Sequence, residues 1–187
     1  MIRLATPRDA PGVHAIYAPI VRDTFISFEL EAPPVAEIER RIAATLGKYP
    51  WLVFEDGGSV AGYAYAGEHR ERAAYQWSTD VSCYVHERAR RRGIGARLYR
   101  ALFRLLARQG FTNAFAGIAL PNDASVGMHE AVGFVALGRY RDVGFKRGEW
   151  HDTVWMQRKL ADPASPPEPP RPLAALSPRE VEEALGA

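Results

Sequence analysis

Cysteine is nearly absent from this chain, which has one, Cys83, among 187 residues. A single cysteine forms no intramolecular disulfide, so the disulfide-stapled scaffold of a small secreted domain is excluded. Long apolar runs are absent too, since none approaches the roughly 20 residues that a membrane-spanning helix needs. The first residues also lack the charged-then-apolar order of a signal peptide. The sequence therefore predicts a cytoplasmic protein with no membrane partner.

An excess of charge of one sign is also lacking. Lys and Arg number 24 against 22 for Asp and Glu, which gives a formal net charge of +2. Because the two signs of charge nearly balance, the protein has no global positive field that would draw it onto nucleic acid. Any basic feature must be local. Hydrophobic residues make up 47% of the chain, enough at this length for one catalytic domain with a short extra segment.

Hydrophobic spacing in the first half of the chain predicts strands and helices in alternation. Residues 1–6 have the pattern of a strand, and Asp9 stands where it caps the helix that follows. A second amphipathic helix is predicted over residues 35–46. The turn sequence at residues 56–58, with apolar runs on both sides, is typical of a β-hairpin. With a further strand over residues 74–85, these runs predict an antiparallel meander.

The second half of the chain continues this mixed pattern. Residues 96–109 have leucines on one face of a predicted helix, and residues 112–120 form the next strand. A helix over residues 123–132 and strands over residues 135–143 and 153–160 complete the prediction. The fold class is therefore mixed α/β.

Composition changes after residue 160, where Ala, Pro and Ser dominate. The prolines among residues 166–170 predict an extended and poorly packed linker. Ser177, Pro178 and Glu180 provide an N-cap, a first-turn proline and a capping box, which predict a short helix over residues 178–185. The sequence thus predicts a catalytic domain at residues 1–160. The tail at residues 161–187 is interpreted as a linker, a dimer arm or a clamp.

A basic, glycine-punctuated segment lies at the predicted start of the long helix. Its residues are Arg90, Arg91, Arg92, Gly93, Ile94 and Gly95. Backbone N–H groups at a helix start are unpaired and partly positive, and glycines let a pyrophosphate approach them closely. Arginines add charge suited to phosphate. Taken alone, the segment predicts either an anion cradle or a flexible turn with a solvated charge run.

Later motifs favour the anion cradle, because together with this segment they resemble the GNAT N-acetyltransferase superfamily. Its pyrophosphate loop reads Gln or Arg, two residues, Gly, one residue, then Gly or Ala, which Arg90, Gly93 and Gly95 match. Within the superfamily the chain resembles the phosphinothricin and methionine sulfoximine N-acetyltransferase group over about residues 2–160. The matching strings are Tyr49-Pro50, Gly62-Tyr63-Ala64-Tyr65-Ala66, Leu120-Pro121-Asn122-Asp123-Ala124-Ser125, His129-Glu130, Gly133-Phe134, and Lys146 with Trp150-His151-Asp152.

The resemblance implies a central, mostly antiparallel twisted sheet with flanking helices and one splayed pair of strands. Acetyl-CoA is expected in the opening between those strands, with no metal, and the protein is expected to be a homodimer. The cofactor contacts implied are Cys83, Tyr84, Val85, Arg90, Arg91, Arg92, Gly93, Ile94, Gly95, Ala96, Asn122 and Ser125. Asn122 and Ser125 equally suit a helix cap.

The reaction needs an uncharged amine, so a base must remove a proton from it. The glutamate of related sequences corresponds to Asp80 here, which is one methylene shorter and acts directly, through water, or has no catalytic role. His129 matches the family's His-Glu motif, and the ordinary histidine pKa of about 6.5 suits proton transfer. The alternative for His129 is a structural role. Tyr84 is predicted to donate a proton to the coenzyme A thiolate, or else to pack in the core.

The acceptor pocket is implied by the turn at Arg70, Glu71 and Arg72 together with Asp80. An arginine there suits a carboxylate or phosphinate, although a solvated hairpin turn explains the same residues. The predicted function is direct acetyl transfer to the amine of a small amino-acid analogue such as phosphinothricin or methionine sulfoximine. Two alternatives stay open: a different amine, such as a peptide N-terminus or a polyamine, and an inactive acetyl-CoA-binding module.

Overall fold

In the computed structural model, which describes residues 1–186, the chain alternates between strands and helices. The strands are β1 Ile2–Leu4, β2 Trp51–Asp56, β3 Ser59–Glu68, β4 Ser78–Val85, β5 Asn113–Ala119, β6 Val135–Lys146 and β7 Glu149–Lys159. The α-helices are α1 Ala10–Asp23, α2 Val35–Leu46, α3 Ile94–Gln109, α4 Asp123–Ala131 and α5 Pro178–Gly186. Ala187, the end of the predicted tail, lies outside the described residues.

All seven strands form one sheet in the order β1-β2-β3-β4-β5-β7-β6. Every neighbouring pair is antiparallel except β4 and β5, which run parallel. Their pairing comprises Ser78 with Asn113, Thr79 with Ala114 and Asp80 with Phe115. Beyond Asp80 the two strands separate, so the sheet opens between them. The predicted mixed α/β fold with a splayed strand pair is confirmed.

Two layers of helices cover the sheet. Helix α3 packs on one face through leucines that are wholly buried, among them Leu98, Leu102 and Leu106. Helices α1 and α2 cover the other face, where Val13 and Ile42 contribute to a second core cluster. Gly62 permits the close approach of α3, since a Cβ there would lie 3.1 Å from Ile94 Cγ2 and from the Tyr84 carbonyl oxygen.

Helix α2 and the β2–β3 hairpin agree with the sequence prediction. The helix has the predicted bounds, and the hairpin turns at Gly57 and Gly58 with φ of 57° and 77°. Positive φ at both central residues is the requirement of the tight turn that matches strand twist. The hydrophobic periodicity and the glycine pair were therefore sufficient signals for both elements.

Three local predictions were wrong. Strand β4 begins at Ser78 rather than at residue 74, because residues 73–75 form a 3-10 turn whose hydrogen bonds are local. Strands β6 and β7 are longer than predicted, since Arg147 and Gly148 adopt positive φ and close a hairpin between them. Asp9 precedes α1 without capping it, because its carboxylate accepts bonds from Arg3 and from the Thr6 N–H instead.

The tail packs against the domain instead of extending from it as a poorly packed linker. Leu173, Leu176 and Ala184 are buried and join the core beneath α3. Arg104 Nε donates to the Ala184 carbonyl at 2.6 Å, and Trp77 Nε1 donates to the Glu168 carbonyl at 2.8 Å. The predicted capping box forms at Ser177 and Glu180, and α5 runs one residue beyond the predicted 178–185. No helix within residues 1–186 is long and apolar enough to span a membrane.

Candidate active site

The opening between β4 and β5 forms a cavity of about 610 Å³. It reaches from the start of α3 to Val81 and Ala116, next to the point where the two strands separate, and Ile20 and Ile26 contribute to its other side. It brings together most of the cofactor residues predicted from the sequence, namely Cys83, Tyr84, Val85, Arg90, Arg91, Gly93, Ile94, Gly95, Ala96, Asn122 and Ser125. Arg92 lies apart from them, because its guanidinium pairs with Asp56 at 2.8 Å.

The start of α3 supplies an anion-binding end to this opening. Gly93 precedes the helix with φ of 73°, and the Arg97 N–H is bonded to the Gly93 carbonyl. The N–H groups of Ile94, Gly95 and Ala96 therefore precede the first bond of the helix and have no partner within it. The first turn carries no acidic side chain, and Arg90 and Arg91 border the same cavity. Free N–H groups, guanidinium charge and an apolar channel behind them fit the pyrophosphate and the chain of coenzyme A.

His129 on α4 is enclosed on both sides of its ring. Nδ1 lies 2.7 Å from the Ser125 carbonyl oxygen and Nε2 lies 2.9 Å from the Tyr99 hydroxyl. Because a carbonyl only accepts, Nδ1 carries the hydrogen and Nε2 accepts from Tyr99. Burial lowers the pKa of His129, which favours the neutral ring. Asn122 caps the same helix by accepting the Ser125 N–H at 3.3 Å, so both roles predicted for Asn122 are compatible.

Tyr84 and Cys83 lie side by side on β4 and both border the opening. The Tyr84 ring packs 5.2 Å from that of Tyr17 and 5.3 Å from that of Tyr63. Burial raises the pKa of Tyr84 well above its ordinary value, so the phenol stays protonated and can donate. Burial also raises the pKa of the Cys83 thiol to about 12, which leaves little of the nucleophilic thiolate near neutrality.

Asp80 occupies the last paired position of β4 before the strands separate. Its Oδ1 lies 2.6 Å from His69 Nδ1, and the His69 ring stacks on Phe115 of β5 with centroids 4.2 Å apart. Burial raises the pKa of the Asp80 carboxyl, against the opposing effect of the His69 hydrogen bond. Sequence analysis missed His69. The signal that could have found it is the antiparallel register of β3 and β4, which pairs Gly67 with Asp80 and so brings His69 close to Asp80.

Three of the four residues predicted for the acceptor pocket line a second concavity of about 610 Å³, and the fourth, Asp80, contacts this concavity through its hydrogen bond to His69. Arg70, Glu71 and Arg72 line it together with Glu68, His69 and Tyr75. The Arg70 guanidinium lies 5.8 Å from the ring centroid of Trp155 on β7. The structure thus brings Arg70, Glu71 and Arg72 together on the sheet face of His69, outside the opening that holds the cofactor residues.

A buried lysine fixes the loop between α1 and α2 at the rim of the opening. Lys146 Nζ donates 2.7 Å hydrogen bonds to the carbonyl oxygens of Val21, Ser27 and Glu29. The Glu29 carboxylate in turn accepts from Arg41 at 2.7 Å. The loop that carries Ile26 to the cavity is therefore held by both the β6–β7 hairpin and α2.

No group of three or more His, Cys, Asp or Glu side chains within residues 1–186 is arranged to hold a metal ion. The arrangement instead combines an anion cradle, a channel through the sheet, a protonated phenol and a carboxylate–imidazole pair. These parts suit an enzyme that binds a long phosphorylated ligand, with groups able to exchange protons near its far end.

Comparisons with known proteins identify the family. The acetyltransferase (GNAT) domain profile matches residues 2–155. The chain is 40% identical over 175 residues to phosphinothricin N-acetyltransferase of Streptomyces viridochromogenes, covering 94% of this chain and 95% of that protein. It is 34% identical over 168 residues to the L-methionine sulfoximine/L-methionine sulfone acetyltransferase of Pseudomonas paraeruginosa, covering 89% of this chain and 98% of that protein.

A solved structure gives the same result. The GNAT superfamily phosphinothricin acetyltransferase from Sinorhizobium meliloti, in complex with acetyl-CoA, superimposes with a TM-score of 0.84 at 32% identity and 95% coverage of each chain. The chain belongs to the GNAT acetyltransferase family. The predictions of the family, of its fold and of an acetyl-CoA-dependent N-acetyltransferase are confirmed.

Proposed function

We propose that this enzyme transfers the acetyl group of acetyl-CoA to the amine of a small amino-acid analogue of the phosphinothricin or methionine sulfoximine type. One observation carries the proposal: the opening in the sheet runs from an anion cradle at Gly93 to Val81 and Ala116, the residues that directly follow the last strand pair of Asp80 with Phe115. The names of the relatives support the acceptor class.

The cofactor is held by backbone more than by side chains. The N–H groups of Ile94, Gly95 and Ala96 face the pyrophosphate, and Arg90 and Arg91 add charge. Cys83 to Val85 offer the backbone edge of β4, and Asn122 and Ser125 close the far wall. When bound, acetyl-CoA supplies a thioester that an amine attacks directly.

The acceptor is bound on the side of Arg70, Glu71 and Arg72. Phosphinothricin combines an α-carboxylate and a phosphinate with an α-ammonium group. Guanidinium groups pair with the anionic groups, and Asp80 attracts the ammonium group toward the opening. The charges of the second concavity thus match the charges of the substrate.

Proton transfers complete the reaction. Asp80 belongs to the base that removes a proton from the amine, and Tyr84 donates to the coenzyme A thiolate as it leaves. His129 holds Tyr99 and the start of α4 in place, because both of its ring nitrogens are already bonded. An acetyl-enzyme at Cys83 is disfavoured by the raised thiol pKa, so direct transfer in a ternary complex is the proposed route.

A homodimer is part of the proposal. The β6–β7 hairpin carries large apolar side chains that are exposed in the single chain, including Val135, Phe145 and Trp150 at 63%, 55% and 61%. Large exposed apolar side chains of this kind favour an interaction site, and the family resemblance implies that the partner is a second copy. The division into a catalytic domain at residues 1–160 and a tail at residues 161–187 is retained, as is the cytoplasmic location.

Coenzyme A release by the purified protein tests the function. The amine panel contains phosphinothricin, methionine sulfoximine, a peptide with a free N-terminus and a polyamine, with acetyl-CoA at saturation. We expect turnover on the first two. Turnover only on the peptide or the polyamine would assign a different acceptor, and acetyl-CoA binding without turnover on any amine would identify a binding module.

A further inference from the structure

His69 and Asp80 form a pair that is held from three directions. His69 Nδ1 lies 2.6 Å from Asp80 Oδ1, and Phe115 stacks on the imidazole with an interplanar angle of 13°. The rings of Tyr75 and Trp155 stand edge-on to it at 6.1 and 6.4 Å. The imidazole therefore has one position and one orientation.

We propose that His69 is the general base of the acetyl transfer and that Asp80 orients it. The inference rests on the proposed function, which supplies the amine and the thioester. It assigns a catalytic role to a histidine that the sequence motifs did not mark, and it makes Asp80 a positioning residue instead of the proton acceptor itself.

The hydrogen bond between the two residues sets the tautomer of the imidazole. An ionised carboxylate only accepts, so Nδ1 carries the hydrogen and the lone pair lies on Nε2. None of the described residues hydrogen-bonds to Nε2, and it is not among the polar atoms sealed from solvent. A carboxylate on one nitrogen with the other nitrogen open is the arrangement by which an aspartate raises the basicity of a histidine and stabilises the imidazolium.

The position of the pair places this base at the reacting end of the opening. Asp80 and Phe115, which hold the ring from two strands, are the last pair before β4 and β5 separate. The anion cradle at Gly93 lies at the opposite end, so the acyl end of a cofactor bound there extends toward Asp80. The His69 ring lines the acceptor concavity beside Arg70. An amine bound in that concavity lies against His69.

The step balances as a proton transfer followed by acyl transfer. The substrate ammonium gives one proton to His69 Nε2, and the amine lone pair then forms the C–N bond to the thioester carbonyl carbon. The C–S bond breaks, and coenzyme A leaves with the electron pair. Tyr84 donates its proton to the coenzyme A thiolate and regains one, through solvent, from the second proton that the nitrogen releases. His69 returns its own proton to water.

Charged side chains surround the His69–Asp80 pair. Arg70 acts on Asp80 through space, and Glu68, Glu71 and Arg72 line the same concavity. The neighbours from β5 and β7 are the uncharged Phe115 and Trp155. Among these groups, His69 offers the concavity a ring nitrogen with an open lone pair.

Steady-state kinetics of His69→Gln and Asp80→Asn against pH test the inference, with methionine sulfoximine as the acceptor. His14→Gln is the matched control, because His14 lies on α1 and lines neither cavity. Loss of a general base lowers kcat by about 100-fold or more. At each pH, kcat/KM of the unmodified enzyme is divided by kcat/KM of His69→Gln. The titration of the substrate amine affects both enzymes equally and cancels in this ratio. We expect this ratio to fall as the pH is lowered, because protonation disables the base in the unmodified enzyme.

Each outcome decides the inference. Loss of kcat in His69→Gln with a pH-dependent ratio, and unchanged acetyl-CoA affinity and melting temperature, supports it. Retained kcat in His69→Gln with loss in Asp80→Asn overturns it in favour of Asp80 as the base, and a large loss with a pH-independent ratio overturns it in favour of a packing role. An unmodified enzyme without turnover on either amino-acid analogue contradicts the proposed function itself.

Discussion

Lys146 donates a hydrogen bond to the backbone carbonyl of Glu29 across 117 residues of sequence, at 2.7 Å. The same ammonium group donates to the carbonyl of Val21 in the last turn of α1 and to that of Ser27 in the loop between α1 and α2. A single buried charge therefore ties the β6–β7 hairpin to the loop that borders the cofactor opening. The tie is made of charge-assisted bonds, which are about twice as strong as neutral ones.

Lys146→Met is expected to loosen that loop. Three carbonyl oxygens lose a charged donor, which costs about 2–3 kcal/mol of unfolding free energy, and the acetyl-CoA KM rises because Ile26, which borders the cofactor opening, moves. Urea denaturation and steady-state kinetics measure the two effects. Lys159→Met is the control, since Lys159 pairs with Asp162 on the surface. Equal stability of both variants would contradict the structural role of Lys146.

Arg70→Ala is expected to raise the acceptor KM about tenfold while changing the acetyl-CoA KM little. The guanidinium lies in the acceptor concavity and outside the cofactor opening. Arg22→Ala serves as the control, because Arg22 pairs with Asp23 on the exposed end of α1. Initial rates with each substrate varied in turn measure both constants. An equal rise in the two KM values would show that Arg70 does not belong to the acceptor pocket alone.

Gly93→Ala and Gly127→Ala are expected to have opposite effects on stability. Gly93 has φ of 73°, which costs a residue with a Cβ about 1–2 kcal/mol, and its strain also disturbs the anion cradle. Gly127 lies within helix α4 with open space for a Cβ, so alanine gains about 1 kcal/mol. Thermal melting reports stability, and calorimetry reports a weaker acetyl-CoA affinity for Gly93→Ala alone.

Leu173→Ala is expected to destabilise the whole protein by about 2–4 kcal/mol, because it removes a buried side chain of the tail from the core beneath α3. Leu30→Ala is the matched control, since Leu30 is 75% exposed. Chemical denaturation measures both variants. A change within experimental error for Leu173→Ala would show that the tail is detached from the core in solution.

The Arg3–Asp9 pair predicts a dependence of stability on acid. The Arg3 guanidinium holds the pKa of the Asp9 carboxyl below its ordinary value. A lowered folded-state pKa contributes stability that is present above the ordinary aspartate pKa and is lost as the pH falls through the folded-state value. Asp9→Asn should therefore be less stable than the unmodified protein at pH 6, and the difference should shrink as the pH is lowered from 6 through and below the ordinary aspartate pKa. A constant difference over that range would show that the pair does not titrate as described.

Local signals in the sequence were enough for much of the fold. The bounds of α2 follow from its apolar period, and the glycine pair at residues 57–58 determines the hairpin turn. The long-range contacts were harder to predict. Burial of Leu173 depends on contacts with α3, about 70 residues earlier, and a proline-rich composition carries no record of them.

In the candidate site, too, local features could be predicted from the sequence and long-range contacts could not. Gly93 and Gly95 were found because a helix start binds anions through local backbone geometry, whereas His69 reaches Asp80 through the register of two strands joined by an irregular turn. His129 was marked by its motif, but its enclosure between Ser125 and Tyr99 is a tertiary contact. Motif spacing therefore located the cofactor side of the site better than the acceptor side.

Strand β4 pairs with β5 over three residues only. From Val81 to Val85, β4 continues past its partner, so one side of this strand presents amide groups to the opening within the described chain. A ligand with its own amide groups satisfies them as a neighbouring strand would. We expect bound acetyl-CoA to complete the sheet in this way. Because such a ligand binds the folded chain alone, occupancy of the opening raises the melting temperature, and chain folding and acetyl-donor concentration are thermodynamically linked.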